Sequence, residues 1–325
     1  MNSQALGRAR TSVTSLGFGG APIGNLFTPV TDTEAEEAIG AAWDGGVRYF
    51  DTAPHYGLGL SERRLGKALM GQQRSDFVVS TKVGRLLRTN PHPTGSDLSV
   101  GGFAVADDVT RVTDYSAAAV EMSIEESLER LGVGYLDIAY VHDPDEYVDQ
   151  VVHETLPVLA RLRDEGVIGA IGAGMNDWRP LLEFVERGDV DVVMLAGRWT
   201  LLDRSGAPLL KECAERGVAV AAAAPFNSGI LARNDPQRTD RFDYRTVSAR
   251  LFERAQALAH LCARHDVDLP QVALQFPLRS DAVVSVVVGM RSGREAERAV
   301  NWMDRPVPDE LWGELEELDE EWSRQ

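Results

Sequence analysis

Asp51, Tyr56, Lys82 and His142 are the residues of this chain whose types and spacing could move a proton. Short apolar runs lead into three of them: "VRYF" into Asp51, "FVVST" into Lys82 and "LDIAYV" into His142. Tyr56 lies just beyond the first, in the segment DTAPHYG. Such runs read as buried strands, so three ionisable residues fall at the carboxyl ends of three successive strands. In a barrel of alternating strands and helices, chemistry is placed at that end. A free tyrosine hydroxyl titrates near pH 10 (about 10) and is a poor acid or base at neutrality. A lysine beside it lowers that value, and a carboxylate paired with the lysine keeps the ammonium charged. Lys82 and Asp51 can fill those roles around Tyr56, and His142 can hold a substrate oxygen by hydrogen bond. The complementary step is a hydride moving to or from a nicotinamide ring. Taken singly, a histidine after a strand or a lysine at its end is an ordinary packing or solvated residue; the inference rests on the four together.

The positioning elements follow along the chain. "RTSVTSLGFGG" reads as a hairpin running into a first strand near residues 16–18. Thr33 with Glu36 reads as the capping box of a first helix. Its apolar stripe is Ala35, Ala38, Ile39, Ala42 and Trp43, and Gly45-Gly46 ends it. Strands at 77–82, 135–141, 168–172, 192–195, 218–223 and 283–288 then alternate with helices at 61–69, 116–131, 151–165, 178–187, 207–216 and 247–265. An extra helix is expected near 271–276, another helix from 293, and an acidic one at the end. This alternation predicts an α/β architecture: a (β/α)8 TIM barrel with an N-terminal β-hairpin and extra helices, one domain over residues 1–325. An open doubly wound sheet is the competing arrangement. Residues 84–115 and 225–246 are too long for simple turns and are expected to act as a lid or a cofactor clamp.

Composition narrows the function. A net charge of −17 argues against nucleic-acid binding, which needs a basic face. No apolar run reaches the about 18 residues of a membrane span. "MNSQALGRARTSV" has no apolar core of the signal-peptide kind, so a cytoplasmic location is expected. Cys213 and Cys262 fall in helical patterns and are expected as thiols. The six histidines are scattered with no H-x-H or H-E-x-x-H pairing, so no metal is expected. The expected partner is a small-molecule substrate, with the protein a monomer or small homo-oligomer.

"FDTAPHYGLGLSERRLGKAL", "VVSTKVG" and "LDIAYVHDPD" resemble the signature regions of the aldo-keto reductase family, and the resemblance extends over essentially the whole chain. It implies a (β/α)8 barrel that binds NAD(P)(H) without a Rossmann domain. It implies Tyr56 as general acid/base, Lys82 and Asp51 as its tuning pair, and His142 as the residue that orients substrate. The chain has no G-x-G-x-x-G after a strand, so the cofactor phosphates need other partners. Backbone N–H groups of "PFNSGIL" (Pro225, Phe226, Asn227, Ser228, Gly229, Ile230 and Leu231) can cradle a pyrophosphate. "VVGMRSG", with Gly289, Met290 and Arg291, leads into a helix start that suits anions. In the family these two segments grip the pyrophosphate and the adenosine end, which extends the expected contacts to Gly20, Asp51, Glu295 and Arg298. The resemblance also implies Asn176 at the nicotinamide carboxamide. Ala196 and Ala223 stand where better-known members carry a Gln and an aromatic, so Arg198 or Trp199 is expected to help hold the ring. Glu295 stands where an Arg commonly clamps a 2′-phosphate, which favours NAD; Arg291 and Arg294 pull towards NADP. The expectation is NAD or NADP, with the balance towards NAD.

Within the family, "GFGGAPIGNLF", "DTAPHYGLGLSE" and "PFNSGIL" are most similar to sugar 1-dehydrogenases of the L-fucose, L-galactose and D-threo-aldose type. These oxidise the anomeric hydroxyl to a lactone. A pyridoxal dehydrogenase and a general NAD(P)H-dependent aldehyde reductase are the alternatives. A regulatory, non-enzymatic barrel is the reading from a different class, and the intact tetrad argues against it.

Overall fold

The computed structural model describes residues 1–7, 9 and 11–324. Eight parallel strands close into a barrel: β1 (Leu16–Gly19), β2 (Tyr49–Asp51), β3 (Val78–Val83), β4 (Leu136–His142), β5 (Ile168–Met175), β6 (Val192–Ala196), β7 (Ala219–Ala223) and β8 (Val283–Gly289). Each pairs with the next in sequence, and β8 closes on β1 with Val288 opposite Phe18. The strands are almost entirely buried, as expected where helices cover one face and the barrel interior the other.

The helices wrapped outside are α1 (Asp32–Asp44), α2 (Leu60–Leu69), α3 (Ala117–Leu131), α4 (Leu156–Asp164), α5 (Trp178–Arg187), α6 (Ala207–Arg216), α7 (Ala249–Arg264) and α8 (Gly293–Asp304). Two further helices, Leu269–Gln275 and Asp309–Ser323, pack with α7 over a separate apolar cluster. The α1 cap differs from expectation. Thr31 and Glu34 form the reciprocal box, two residues earlier than Thr33 and Glu36. Both pairs have the same spacing, and the earlier one starts the helix at Asp32 while leaving the buried stripe of Ala35, Ala38, Ile39 and Ala42 as expected. A π-helical turn, Val151–Thr155, precedes α4. There the Thr155 hydroxyl donates to the Tyr115 carbonyl at 2.5 Å.

Three apolar groupings hold the fold. The largest lies between strands and helices, with Phe18, Phe50, Leu65, Ile124, Leu159 and Phe184. A smaller one fills the barrel interior, with Tyr49, Ile138, Tyr140, Met194 and Val287. The N-terminal hairpin, Ser3–Ala5 against Ser12–Thr14, adds Leu6 and Val13 to that interior group. The two long connections are partly structured. Residues 84–115 contain an antiparallel hairpin, Arg85–Thr89 with Val109–Thr113, and residues 225–246 contain a two-residue ladder, Arg241–Phe242 with Arg245–Thr246.

Candidate active site

Asp51 closes β2, Lys82 lies one residue from the end of β3 and His142 closes β4. These strands are neighbours in the barrel, so their ends converge. Tyr56 sits in the turn between β2 and α2, its N–H donating to the Ala53 carbonyl at 3.1 Å. Gly57 follows at φ 62°, where a Cβ would lie 2.2 Å from the Gly24 carbonyl oxygen. Only glycine lets the loop after β1 press against this turn.

The four residues meet. Lys82 Nζ donates to the two Asp51 carboxylate oxygens at 2.8 and 2.7 Å and to the Thr52 carbonyl at 3.0 Å. It lies 4.9 Å from the centre of the Tyr56 ring. The Tyr56 and His142 rings are edge to face, 5.9 Å apart. Burial is the largest single influence on Lys82 and opposes its charge, but Asp51 and Tyr56 together outweigh it and the ammonium is held above its ordinary pKa. Burial also governs Tyr56, pushing its hydroxyl up to about 12, with Lys82 the largest pull downward. The expectation that Lys82 would leave Tyr56 with a lowered pKa is therefore corrected for the protein by itself: the lysine acts in the expected direction, and desolvation exceeds it.

Burial, reinforced by the cations Arg85 and Lys82, holds His142 well below the usual histidine range, so its ring is neutral. Its Nδ1 is buried without a hydrogen-bond partner. A buried N–H there would waste a donor, so the proton is assigned to Nε2. His142 is thereby a hydrogen-bond donor at Nε2.

Several residues around this centre carried no recognisable signal in the sequence. Arg85 donates to Asp143 Oδ2 at 2.6 Å and lies 3.2 Å from His55 Nδ1. Asp143 Oδ2 stands 3.6 Å from His142 Nε2. The Asp143 backbone is left-handed, φ 44°, and two neighbours hold it. Its N–H donates to the Gly174 carbonyl at 3.1 Å, and the Tyr115 hydroxyl shares its one proton between the carbonyls of His142 and Asp143, 2.7 and 2.9 Å away. Arg111, from the hairpin after β3, grips Asp97 through two hydrogen bonds of 2.6 and 2.7 Å and reaches the His55 carbonyl at 2.9 Å. Phe103 lies against His55 and Tyr56, ring centres 5.3 and 6.1 Å away. Adjacency to Lys82 and His142 was the only available hint for Arg85 and Asp143.

The expected cofactor contacts lie at the same strand ends. Gly20 is buried beside Asp51, its N–H donating to the Asp51 carbonyl at 2.8 Å. Asn176 is exposed just past β5. Ala196 and Ala223 end β6 and β7. Arg198 is drawn to the tip of the loop after β7 by an ion pair with Asp243 at 2.8 Å. Trp199 is committed to Phe276 and, through its N–H, to the Pro277 carbonyl. After Pro225 the backbone turns through left-handed values at Asn227 and Ser228. That turn uses the N–H groups of Asn227, Gly229 and Leu231 on the Ala224 and Phe226 carbonyls, which narrows the cradle expected there. The Leu231 and Met290 side chains are buried in the core, leaving only their backbones to offer, and Phe226 packs on Trp302. Gly289 ends β8 against Pro22, and Arg298 lies over Trp302. Glu295 accepts the Arg291 N–H at 3.0 Å at the start of α8. The Arg291 guanidinium reaches the Thr28 hydroxyl at 3.0 Å. These groups fit a dinucleotide: Asn227 Oδ1 is a buried acceptor with no partner, which a ribose hydroxyl can satisfy, and the start of α8 with Arg291 and Arg294 suits anions. Among the described residues no group of three or more His, Cys, Asp or Glu could hold a metal ion.

Residues 15–320 match the family model described as "Aldo/keto reductase family". The chain is 44% identical over 317 residues to a D-threo-aldose 1-dehydrogenase of a Pseudomonas species, covering 96% of each chain. It is 38% identical to a pyridoxal 4-dehydrogenase of Microbacterium luteolum, again covering 96% of each. Identity is 34% to an L-galactose dehydrogenase of Arabidopsis thaliana, covering 91% of this chain and 86% of the relative. Among solved structures, the holo form of an aldo-keto reductase from Bacillus halodurans superposes with a TM-score of 0.77 at 26% identity, covering 98% of this chain and 96% of that one. A closed eight-stranded barrel, a cluster of ionisable residues at its strand ends and relatives matched end to end lead to one conclusion: the chain belongs to the aldo/keto reductase family of oxidoreductases.

Proposed function

We propose that the protein oxidises the anomeric C1 hydroxyl of an aldose to the lactone, with Asp51, Tyr56, Lys82 and His142 as its catalytic residues. Tyr56, as tyrosinate, removes the C1 hydroxyl proton; His142 Nε2–H holds the same oxygen and fixes the orientation of C1. Lys82 pulls on the Tyr56 proton, and Asp51 keeps Lys82 charged and in place. When bound, an oxidised nicotinamide dinucleotide supplies the hydride acceptor and a ring cation that adds to the pull of Lys82 on the Tyr56 proton. Asn176, the Pro225–Leu231 turn and the Gly289–Glu295 segment are the residues proposed to hold it. Glu295 disfavours an added 2′-phosphate, so NAD is the preferred form.

The observation that carries the sugar reading is the Arg85–Asp143 pair beside His142. A guanidinium and a carboxylate there give the remaining hydroxyls of an aldose a charged donor and a charged acceptor. An unsubstituted aldehyde would leave both unused. The relatives named for D-threo-aldose and L-galactose support the same choice. The likeness to a pyridoxal 4-dehydrogenase supports a second reading with the same hemiacetal-to-lactone chemistry. The deciding experiment is a panel of aldoses, pyridoxal and short aldehydes, assayed with NAD and NADP by nicotinamide absorbance. Aldoses are expected to give the highest kcat/KM, with NAD. Pyridoxal ahead of every aldose would select the second reading, and turnover of short aldehydes alone would remove both.

A further inference from the structure

Each of the three strand-end residues has a hydroxyl two positions earlier on the same strand: Tyr49 before Asp51, Ser80 before Lys82 and Tyr140 before His142. Side chains two apart share a strand face, so each of these residues points to the same side as the strand-end residue that follows it, its Cα about 6–7 Å further back along its own strand; the stagger of the strands sets Ser80 level with Asp51. All three residues are fully buried. They are also connected. Ser80 Oγ lies 2.7 Å from Asp51 Oδ1 and 3.2 Å from the Tyr49 hydroxyl, which lies 3.2 Å from the Tyr140 hydroxyl. Gly17 makes room for the Tyr49 ring, since a Cβ there would sit 2.8 Å from Tyr49 Cδ1.

The direction of this chain follows from proton counting. The Asp51 carboxylate in its ion pair only accepts, so the single Ser80 proton goes to it. Ser80 must then accept from Tyr49, and Tyr49 from Tyr140. Burial holds both tyrosine hydroxyls above their ordinary pKa, so the protons are present at any working pH. Three dipoles thus point at one carboxylate in a buried site, where such chains reinforce one another.

We infer that Tyr140, Tyr49 and Ser80 are positioning residues that set the proton affinity of Tyr56 from inside the barrel. Asp51 acts on Tyr56 against Lys82: its negative charge holds the hydroxyl proton on, while the ammonium draws it off. The hydroxyl chain offsets part of the Asp51 charge, leaving more of the Lys82 field for Tyr56. None of the three needs to touch substrate or cofactor. The inference rests on Tyr56 as the proton carrier and is independent of which substrate is oxidised.

The test is the pH dependence of oxidation by the full-length enzyme, saturated with oxidised cofactor, in Ser80→Ala and Tyr140→Phe. Both profiles should move to higher pH, by about half to one unit for Ser80→Ala and less for Tyr140→Phe. At about pH 8 the Ser80→Ala rate should fall about 3–10-fold and converge on the wild-type rate near pH 10.5. The tyrosinate absorbance of each holoenzyme, taken as the difference from its Tyr56→Phe counterpart, should move by the same amount. A loss constant at every pH would mean a structural role and overturn the inference, as would an undisplaced profile or one moved to lower pH. If Ser80→Ala fails to fold, Tyr140→Phe decides, because it removes one oxygen remote from Asp51. Wild-type turnover in Tyr56→Phe would remove the proton-carrier reading and this inference together. An inactive Tyr56→Phe with an undisplaced Ser80→Ala profile overturns the hydroxyl chain alone.

Discussion

Even with Lys82 opposing desolvation, burial leaves the Tyr56 hydroxyl at about 12, protonated across the physiological range in the protein by itself. In the proposed mechanism the positive ring of the oxidised cofactor supplies the further pull that brings the tyrosinate into reach. Oxidation needs the tyrosinate, so its rate should rise with pH from about 7, by at most about tenfold per unit, and level off near 9 to 10. Reduction uses the protonated hydroxyl and should be favoured at lower pH. Initial rates in both directions check this; oxidation fastest near pH 6 would contradict a tyrosinate base. His142, held neutral well below its usual range, contributes no inflection between pH 5 and 8. Tyr56→Phe should lower turnover about 10²–10⁴-fold, read by steady-state kinetics alongside cofactor binding to the same variant. Glu295→Arg should raise the NADP-to-NAD preference about thirtyfold, the equivalent of about 2 kcal/mol for a charged hydrogen bond gained. A wild-type enzyme already strongly selective for NADP would instead credit Arg291. That Asp51, Tyr56, Lys82 and His142 would come together was legible because charged residues interrupt apolar runs at strand ends. The net direction of the Tyr56 shift was not, because it depends on how deeply the ring is buried, which spacing does not encode.

At the scale of elements, the hairpin after β3 places much of the wall of the site. It starts at Gly84, whose φ of 102° and missing side chain let the Tyr115 ring pack directly against the backbone. A Cβ there would sit 2.1 Å from Tyr115 Cε1. Gly84→Ala should therefore destabilise the protein by about 2–4 kcal/mol, through left-handed strain and overpacking. Because Tyr115 holds the backbone of His142 and Asp143, kcat should fall as well. Denaturant unfolding and kinetics on the same sample check both; wild-type stability would show that Tyr115 can move aside. The barrel strands were legible as apolar runs bounded by turns, and most helix ends were found within a residue or two. The hairpin was not, because "RLLRT" and "VTRVT" are short, charged and separated by a long Gly- and Pro-containing segment. The α1 cap lies two residues before the expected one because two Thr-x-x-Glu pairs of identical spacing overlap, and spacing does not choose between them.

Over the whole molecule, the chemistry proposed here uses side chains and a dinucleotide, with no metal. Exhaustive chelation should leave turnover unchanged, and loss restored by a divalent cation would contradict the mechanism. Among the described residues no helix is long and apolar enough to cross a membrane. Cys213 and Cys262 are both buried thiols, as their helical placement had implied. Barrel closure was legible from the number of strand–helix units, whereas what fills the interior was not: Tyr49 and Tyr140 look like any aromatic in an apolar strand until the barrel brings them together. The N-terminal hairpin bears on that interior. Leu6 and Val13 join the cluster that contains Tyr49 and Tyr140, and at Gly7 the backbone runs so close to the Asp191 and Gly217 carbonyls that no side chain fits. The hairpin is therefore a stopper at the floor of the barrel, at the opposite end from the cluster of Asp51, Tyr56, Lys82 and His142. A leak at the floor would wet the hydroxyls of Tyr49 and Tyr140 and so, through the hydroxyl chain inferred above, alter the acidity of Tyr56 at the far end without touching one of its neighbours.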